Sequence, residues 1–195
     1  IGSGPYVDRL VLGEILGTSA TNTVTFNGDG ATLVHSPSVS ADRAAILLDG
    51  ADHVIIDDLI IDVAGGTYGY GVHLRNQADH NTISNCMIIN PDNTSSANYA
   101  GIVASNSLTS ATTAGDCADH TTIENNTIRG CSGTYKLRLN GASATARATG
   151  NVVRNNRLEN GYNYQLYMHF QDSGLVQGNE ISRPGLTNTT TFYGI

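Results

Sequence analysis

The sequence predicts an all-β solenoid, with three short parallel strands in each coil and roughly six to seven coils. Three observations predict it. One short sequence motif recurs along the chain, aliphatic residues recur at fixed positions within each copy, and no segment shows the period of an α-helix. A single repeat of this kind cannot bury its own apolar side. We therefore expect one domain over residues 1–195, with a core built by stacking of the copies.

The motif is clearest in three copies and less regular in two more. The clear copies are Ala51–Ile61, Ala78–Ile89 and Ala118–Ile128, and the looser ones are Gly150–Glu159 and Ser173–Ser182. Aligned copies share two aliphatic columns, which predict two inward-facing strands. The columns are Ile56, Ile83, Ile123, Val153, Val176 and Ile61, Ile88, Ile128, Leu158, Ile181.

A polar step separates the two aliphatic columns in every copy. It is filled by Asp58, Asn85, Asn125, Asn155 and Gly178. Asp, Asn and Gly tolerate left-handed backbone angles, so we expect a sharp bend between the two strands. In the last three copies the next residue is Asn, and stacked Asn side chains should bond to one another and to the backbone.

A third strand follows a variable loop in each coil. Its copies are Tyr70–Leu74, Ala100–Ala104, Tyr135–Leu139, Tyr164–Met168 and Tyr193–Ile195. Most of the added length lies in two loops, 90–99 and 105–117. Insertions in solenoids often gather on one face, and that face is often the binding face.

The pattern I-x-N-N-x-I, with a Y-G-I strand in each coil, resembles right-handed parallel β-helix proteins of the pectin-lyase-like superfamily. The resemblance covers about residues 22–195, and the opening Pro5–Phe26 is similar to the first coils of secreted bacterial domains of the Bacteroidetes type. It implies a single-stranded right-handed parallel β-helix, secreted or on the cell surface, and a segment of a longer secreted protein. The fold supports lyases, hydrolases, epimerases and noncatalytic modules, so it does not choose a function.

Composition and charge exclude several classes of partner. The net charge of -7 argues against binding through nucleic-acid phosphates. No apolar run is long enough to predict a membrane span. The three cysteines, Cys86, Cys117 and Cys131, have neither metal-ligand spacing nor an even count, so we expect no zinc site and no disulfide framework. The last strand would leave an exposed edge, which favours end-to-end self-association.

Charged residues at matching positions of adjacent coils predict ion pairs. The three expected pairs are Glu124–Arg154, Arg157–Glu180 and Arg129–Glu159. Two further columns come from the recurring Ala-Asp-His. Its aspartates should bond to the backbone two residues on, and its histidines His53, His80 and His120 should stack.

Among the acidic residues that these pairs leave over, Asp57, Asp58 and Asp62 lie within six residues on the earliest clear coil. Asp57 and Asp62 could act as acid and base of a hydrolase, since inverting glycosidases use two separated carboxylates. All three could instead hold calcium, as the acids of lyases with this fold do. The alternative is structural, with Asp58 filling the bend and the other two solvated.

The outward side of the third strand supplies the other candidates. His73, Lys136, Arg138, Tyr167 and His169 predict a cleft for an anionic sugar, with His73 or Arg138 as proton acceptor. Tyr162 and Tyr167 lie off the main tyrosine column and could stack on sugar rings. The alternative is an ordinary polar surface.

Two functions remain open from the sequence. The first is a noncatalytic extracellular module, a surface spacer or a polysaccharide-binding segment, because the charges pair and the combined motif set of polygalacturonases is missing. The alternative is a polysaccharide lyase or glycoside hydrolase that acts on acidic glycans. No cofactor is expected apart from calcium.

Overall fold

The computed structural model describes residues 4–92, 94–130, 133–185 and 191–195. One 3-10 turn, Ser40–Asp42, interrupts a succession of short strands. In chain order the strands are β1 (Tyr6–Val7), β2 (Leu10–Gly13), β3 (Val24–Asn27), β4 (Thr32–Val34), β5 (Ala44–Asp49), β6 (Val54–Asp57), β7 (Ile60–Asp62), β8 (Gly69–Arg75), β9 (Thr82–Ser84), β10 (Met87–Ile89), β11 (Tyr99–Ala104), β12 (Thr122–Glu124), β13 (Thr127–Arg129), β14 (Tyr135–Asn140), β15 (Ala148–Thr149), β16 (Val152–Arg154), β17 (Arg157–Glu159), β18 (Tyr164–His169), β19 (Gln171–Asp172), β20 (Leu175–Gln177) and β21 (Glu180–Ser182).

Three long parallel sheets run along the molecule. The first sheet has the order β3-β6-β9-β12-β16-β20, the second β1-β4-β7-β10-β13-β17-β21, and the third β2-β5-β8-β11-β14-β18. Strands β15 and β19 form a small fourth sheet. Each strand inside these sheets pairs with its equivalents one coil before and one coil after, so the chain winds as a parallel β-helix of about seven coils. The all-β prediction is confirmed.

The pairing register places like residues on top of one another, as predicted. Ile83 pairs with Ile56 on one side and with Ile123 on the other, and Ile88 pairs with Ile61 and Ile128. The side chains of these residues are fully buried in one core cluster. The two aliphatic columns are therefore the inner faces of the first and second sheets.

The bend between the first and second strands is left-handed in every coil. Backbone φ is +52° at Asp58, +55° at Asn85, +57° at Asn125 and +54° at Asn155, and +65° at Gly178. A second left-handed bend, which the sequence analysis missed, precedes the first strand. It falls on His53, His80 and His120, with φ of +56°, +56° and +49°. Histidine enters this region more often than most residues.

A ladder of buried amides follows the first bend. The Asn126 side chain donates to Asn156 Oδ1 at 3.0 Å, and the Asn156 side chain donates to Asn179 Oδ1 at 2.9 Å. Each amide oxygen also accepts the backbone N–H of the preceding coil, and each NH₂ donates to a backbone carbonyl. Cys86 takes the same position one coil earlier, where its N–H donates to Asn126 Oδ1. The predicted ladder is confirmed.

A second set of buried amides precedes the first strand and was not predicted. Asn81 Oδ1 accepts the Val54 N–H at 2.8 Å while its NH₂ donates to the Ala51 carbonyl. Asn151 repeats the arrangement two coils later with Thr121 and Ala118. These amides form hydrogen bonds with backbone N–H and C=O groups that have no partner within the sheets because of the sharp bends.

We predict that Asn156→Ala lowers the free energy of unfolding by about 2–4 kcal/mol, because it leaves several buried donors and acceptors without partners. Asn155→Gly is the matched control, since Gly178 fills that bend in the next coil and Asn155 is exposed. The control should change stability by less than about 1 kcal/mol. Chemical denaturation measures both variants, and equal losses would contradict the ladder's role.

Candidate functional site

Part of the outer face of the third sheet is covered rather than open. Residues 105–117, which we call the covering loop, fold back over it. Ala111 and Leu108 of this loop pack against Leu47 and Val103, whose side chains point away from the main core. The result is a second, smaller apolar cluster on the outside of the coil. The prediction that loops gather on this face is met, and the covering loop contacts His73, one of the predicted site residues.

His73 lies beneath the covering loop. Its side chain is fully buried, and Nε2 is 2.8 Å from the Ser105 carbonyl oxygen. Burial, aided by the positive charges of Arg75 and Arg43, lowers the pKa of the imidazole to about 4. A neutral ring that is sealed from solvent cannot take a proton from a polysaccharide at the surface. His73 therefore does not meet the expectation of an accessible base.

Arg138 is also buried, but it contacts Tyr167, which was predicted beside it, and Tyr135, which was not. Its guanidinium carbon lies 4.2 Å from the Tyr135 ring centroid and 4.5 Å from that of Tyr167. Nε donates to Asn140 Oδ1 at 2.8 Å. An arginine stays protonated in proteins, so its role here is to place a positive charge against two aromatic faces.

The placement of Lys136 in an outward cleft is wrong. In the third sheet, Tyr135 pairs with Tyr164 and Leu137 pairs with Leu166, but the register of paired residues does not include Lys136, which lies between them. This break in the pairing interrupts the alternation of side chains along the strand, so the Lys136 side chain turns inward. It is fully buried there, and its Nζ donates to the Gly130 carbonyl. Earlier coils have Gly71 and Gly101 there, and a Cβ on either would lie about 2.5 Å from an isoleucine of the second sheet.

A partly exposed group of rings lies at the far end of the third sheet. We call Tyr135, Tyr164, Tyr167, Tyr193 and His169 the aromatic surface. Tyr135 stacks on Tyr164 at 5.1 Å, and Tyr164 stacks on Tyr193 at 4.6 Å. Tyr167 meets both Tyr135 and Tyr164 edge to face, and His169 lies 6.0 Å from Tyr167. The structure thus brings Arg138, Tyr167 and His169 together, while Tyr162 is half-buried in the turn before β18.

A cleft of about 260 Å³ opens beside the aromatic surface, and we call it the insertion cleft. Both long loops line it, 90–99 through Ala97–Tyr99 and the covering loop through Thr109–Thr112. Arg43, Ala100, Thr134 and Tyr135 complete its walls. Sequence reasoning missed Arg43, although a lone arginine before an apolar strand was visible.

The tyrosine column explains where the cleft lies. Tyr70 pairs with Ala100, and the pairing of Ile102 with Leu137 sets Ala100 level with Tyr135 in the following coil. Ala100 thus interrupts a column that begins with Ala44 and holds large rings at Tyr70, Tyr135, Tyr164 and Tyr193. Because Ala100 has no ring, space remains at this position, and the two long loops form walls of the cleft there.

The acidic candidates are occupied by structural bonds. Asp57 accepts hydrogen bonds from Asn27, Ser84 and Asn85 at 2.7 Å each. These bonds lower the pKa of Asp57, so it stays ionised and cannot serve as a general acid. Asp62 accepts the Ala64 N–H at 2.9 Å, and Asp58 fills the bend, as the structural alternative predicted.

Asp57, Asp58 and Asp62 do not gather as a metal site. Asp57 ends a strand of the first sheet and Asp62 a strand of the second, with the bend between them. Within the described part of the chain, no group of three or more His, Cys, Asp or Glu side chains could hold a metal ion.

The charged columns were predicted in part. Glu124 pairs with Arg154 at 2.6 Å and Arg157 lies 3.7 Å from Glu180. Glu159 bonds to Arg157 on its own strand at 2.8 Å, and not to Arg129 as we expected. The recurring aspartates also differ from expectation, since Asp52 and Asp79 each accept the backbone N–H of the equivalent Asp one coil on, at 2.7 Å.

The histidine column is confirmed. The His53, His80 and His120 rings stack at 4.8 and 4.9 Å. Two of the three cysteines, Cys86 and Cys117, are free and buried, and burial raises the pKa of both thiols to about 12. They are small apolar residues here rather than reactive groups. Cys131 lies outside the described residues.

Comparison with known proteins agrees with the coil geometry. A family model described as "Right handed beta helix region" matches residues 44–188, which is more than half of the chain. The chain belongs to this family. Searches of curated proteins and of solved structures find no significant match. Among the described residues of this right-handed β-helix, no helix has the length and apolarity to cross a membrane.

We predict that His73 makes the β-helix sensitive to acid. The unfolded chain protonates this histidine near pH 6.5 and the folded chain only near about pH 4, so the unfolded state binds the proton first as the pH falls. The stability that His73 contributes is complete above about pH 6.5, and about 3 kcal/mol is lost by about pH 4. His73→Gln keeps a donor for Ser105 and cannot titrate.

Denaturation of the wild type and of His73→Gln at several pH values between 7 and 4 measures this effect. The stability difference between the two proteins should shrink as the pH falls. Parallel stability curves would contradict the burial of a neutral imidazole.

Proposed function

We propose that this β-helix is a noncatalytic extracellular module that binds polysaccharide through the aromatic surface. The observation that carries the proposal is the meeting of Arg138 with Tyr135 and Tyr167 beside a partly exposed tyrosine stack. Tyrosine rings bind the apolar faces of sugars, and their hydroxyl groups add hydrogen bonds. Such a surface can hold a glycan without transforming it.

The state of the acid and base candidates favours binding over turnover. Asp57 is held ionised by three donors, Asp62 belongs to a different sheet, and His73 is sealed beneath the covering loop. Hydrolysis would need an acid and a base that both reach the sugar. The rival activity, a polysaccharide lyase or hydrolase on acidic glycans, is tested in the same experiment.

The experiment mixes the protein with a panel of neutral and acidic polysaccharides, with and without calcium. Electrophoresis through gels that contain each glycan measures binding, while ultraviolet absorbance and reducing-end assays measure turnover. We expect retention by at least one glycan, no unsaturated product and no new reducing ends. Products of either kind would overturn the noncatalytic assignment, and absence of retention by every glycan would overturn the binding role.

Two variants locate the binding surface. Tyr167→Ala should weaken binding by up to about tenfold, since one aromatic contact contributes roughly 0.5–1.5 kcal/mol, and Tyr167→Phe should keep most of the affinity. Tyr6→Ala is the control, because Tyr6 is 42% exposed on β1 of the second sheet. Equal loss in Tyr167→Ala and Tyr6→Ala would contradict the location.

A further inference from the structure

We infer that the insertion cleft is a subsite for one acidic sugar residue and that Arg43 binds its carboxylate. This inference rests on the proposed polysaccharide-binding function and names the class of glycan. Arg43, the residue that carries the inference, lies outside the aromatic surface and was not predicted from sequence.

Arg43 is a buried cation without a counter-ion. It is 4% exposed, and no carboxylate of the described residues pairs with it. The nearest carboxylate in sequence, Asp42, pairs with Arg9 at 2.5 Å. Tyr70 bonds to Arg43 but is no anion, because burial raises the pKa of its hydroxyl. A buried charge is costly unless an opposite charge meets it, and a ligand can supply that charge.

The guanidinium is held in place and still has donors to offer. A guanidinium carries five N–H donors. Nε donates to the Ser40 carbonyl at 2.9 Å, Nη1 to the Tyr70 hydroxyl at 2.9 Å, and Nη2 to the Ser40 hydroxyl. Two N–H donors therefore have no partner among the described residues. The Tyr68 and Tyr70 rings, each 4.9 Å from the guanidinium carbon, fix its orientation.

The other walls of the cleft suit a sugar. Tyr99 and Tyr135 offer aromatic surface, and Asn98, Ser110 and Thr112 offer amide and hydroxyl groups. Its volume of about 260 Å³ lies just below the usual range for small-molecule sites, about 300–1,000 Å³, which suits one sugar residue rather than a length of chain. Tyr135 belongs to both the cleft and the aromatic surface, so one glycan can reach both.

A second buried arginine strengthens the local positive charge. Arg138 is 5% exposed, and it too has no carboxylate partner among the described residues. It contacts Tyr135, which lines the cleft. The chain carries a net charge of -7, yet two unneutralised guanidinium groups lie at this one face. That concentration of positive charge favours an anionic residue over a neutral one at the cleft.

Ligand-observed NMR titration measures the preference directly, and it detects weak binding. The probes are galacturonate and glucuronate, their methyl esters, and galactose 6-sulfate. The wild type should bind at least one uronate about tenfold more tightly than its ester, since a hydrogen bond from the guanidinium to a carboxylate is stronger than one to a neutral ester. Arg43→Gln should remove this preference. Equal affinity for acid and ester, a preference that persists in Arg43→Gln, or tighter binding of the sulfate than of either uronate would overturn the assignment.

A matched pair of loop variants locates the site even where Arg43→Gln fails to fold. Thr112 and Thr113 are adjacent and exposed, and Thr112 lines the cleft while Thr113 does not. Thr112→Trp should weaken uronate binding about tenfold or more, and Thr113→Trp should leave it unchanged. Equal effects would overturn the location. If the protein binds polysaccharide through Tyr167 but shows no preference for acid over ester, this inference fails while the proposed function stands.

Discussion

Hydrogen bonding between equivalent residues of successive coils is the constraint on which the rest of this structure depends. Every strand of the three long sheets pairs in parallel with its own equivalent one coil away. A register of this kind brings isoleucine onto isoleucine and asparagine onto asparagine. The two left-handed bends let each coil turn sharply enough to repeat, and the buried amides satisfy the backbone groups that the bends release.

Much of this order could be predicted from residue type alone. The columns of Ile56 and Ile61, the bend at Asp58 and the amide ladder at Asn156 each repeat at a fixed place, so one copy predicts the next. The direction of Lys136 could not be predicted in the same way. Strict alternation along a strand would turn it outward, whereas the ladder skips that position and turns it into the core. A strand position outside the register of paired residues has no sequence signature here beyond the glycines at the equivalent positions of the earlier coils.

The candidate site was harder to predict because loops build it. Sequence columns indicate which side of a strand faces out, but they do not reveal that residues 105–117 fold back over that side. His73 was thus placed on the correct side of its strand and is nevertheless sealed beneath Ser105. Arg43 belongs to no repeated column, so nothing in the repeat drew attention to it, and its importance appears only when its burial and its missing counter-ion are known.

The face that results combines two features. Stacking provides a rigid row of rings, and two insertions provide a cleft where Ala100 breaks that row. Both features need coils held in register over the third sheet, since a shift of one residue between coils would separate Arg138 from Tyr167 and Arg43 from the other walls of the cleft. Binding at this face therefore follows from the same coil-to-coil pairing that forms the core.

Disulfide cross-linking between coils tests that pairing most directly. Glu124 and Arg154 pair in register on adjacent coils, and adjacent strands lie about 4.8 Å apart, within the range that a disulfide spans. Glu124→Cys with Arg154→Cys should form a disulfide on mild oxidation, as mapped by peptide mass spectrometry. Gln177 pairs with Arg154 one coil further on, about 9.6 Å from Glu124, so Glu124→Cys with Gln177→Cys should not cross-link. Cross-linking of the second pair but not the first would contradict the stacked coil.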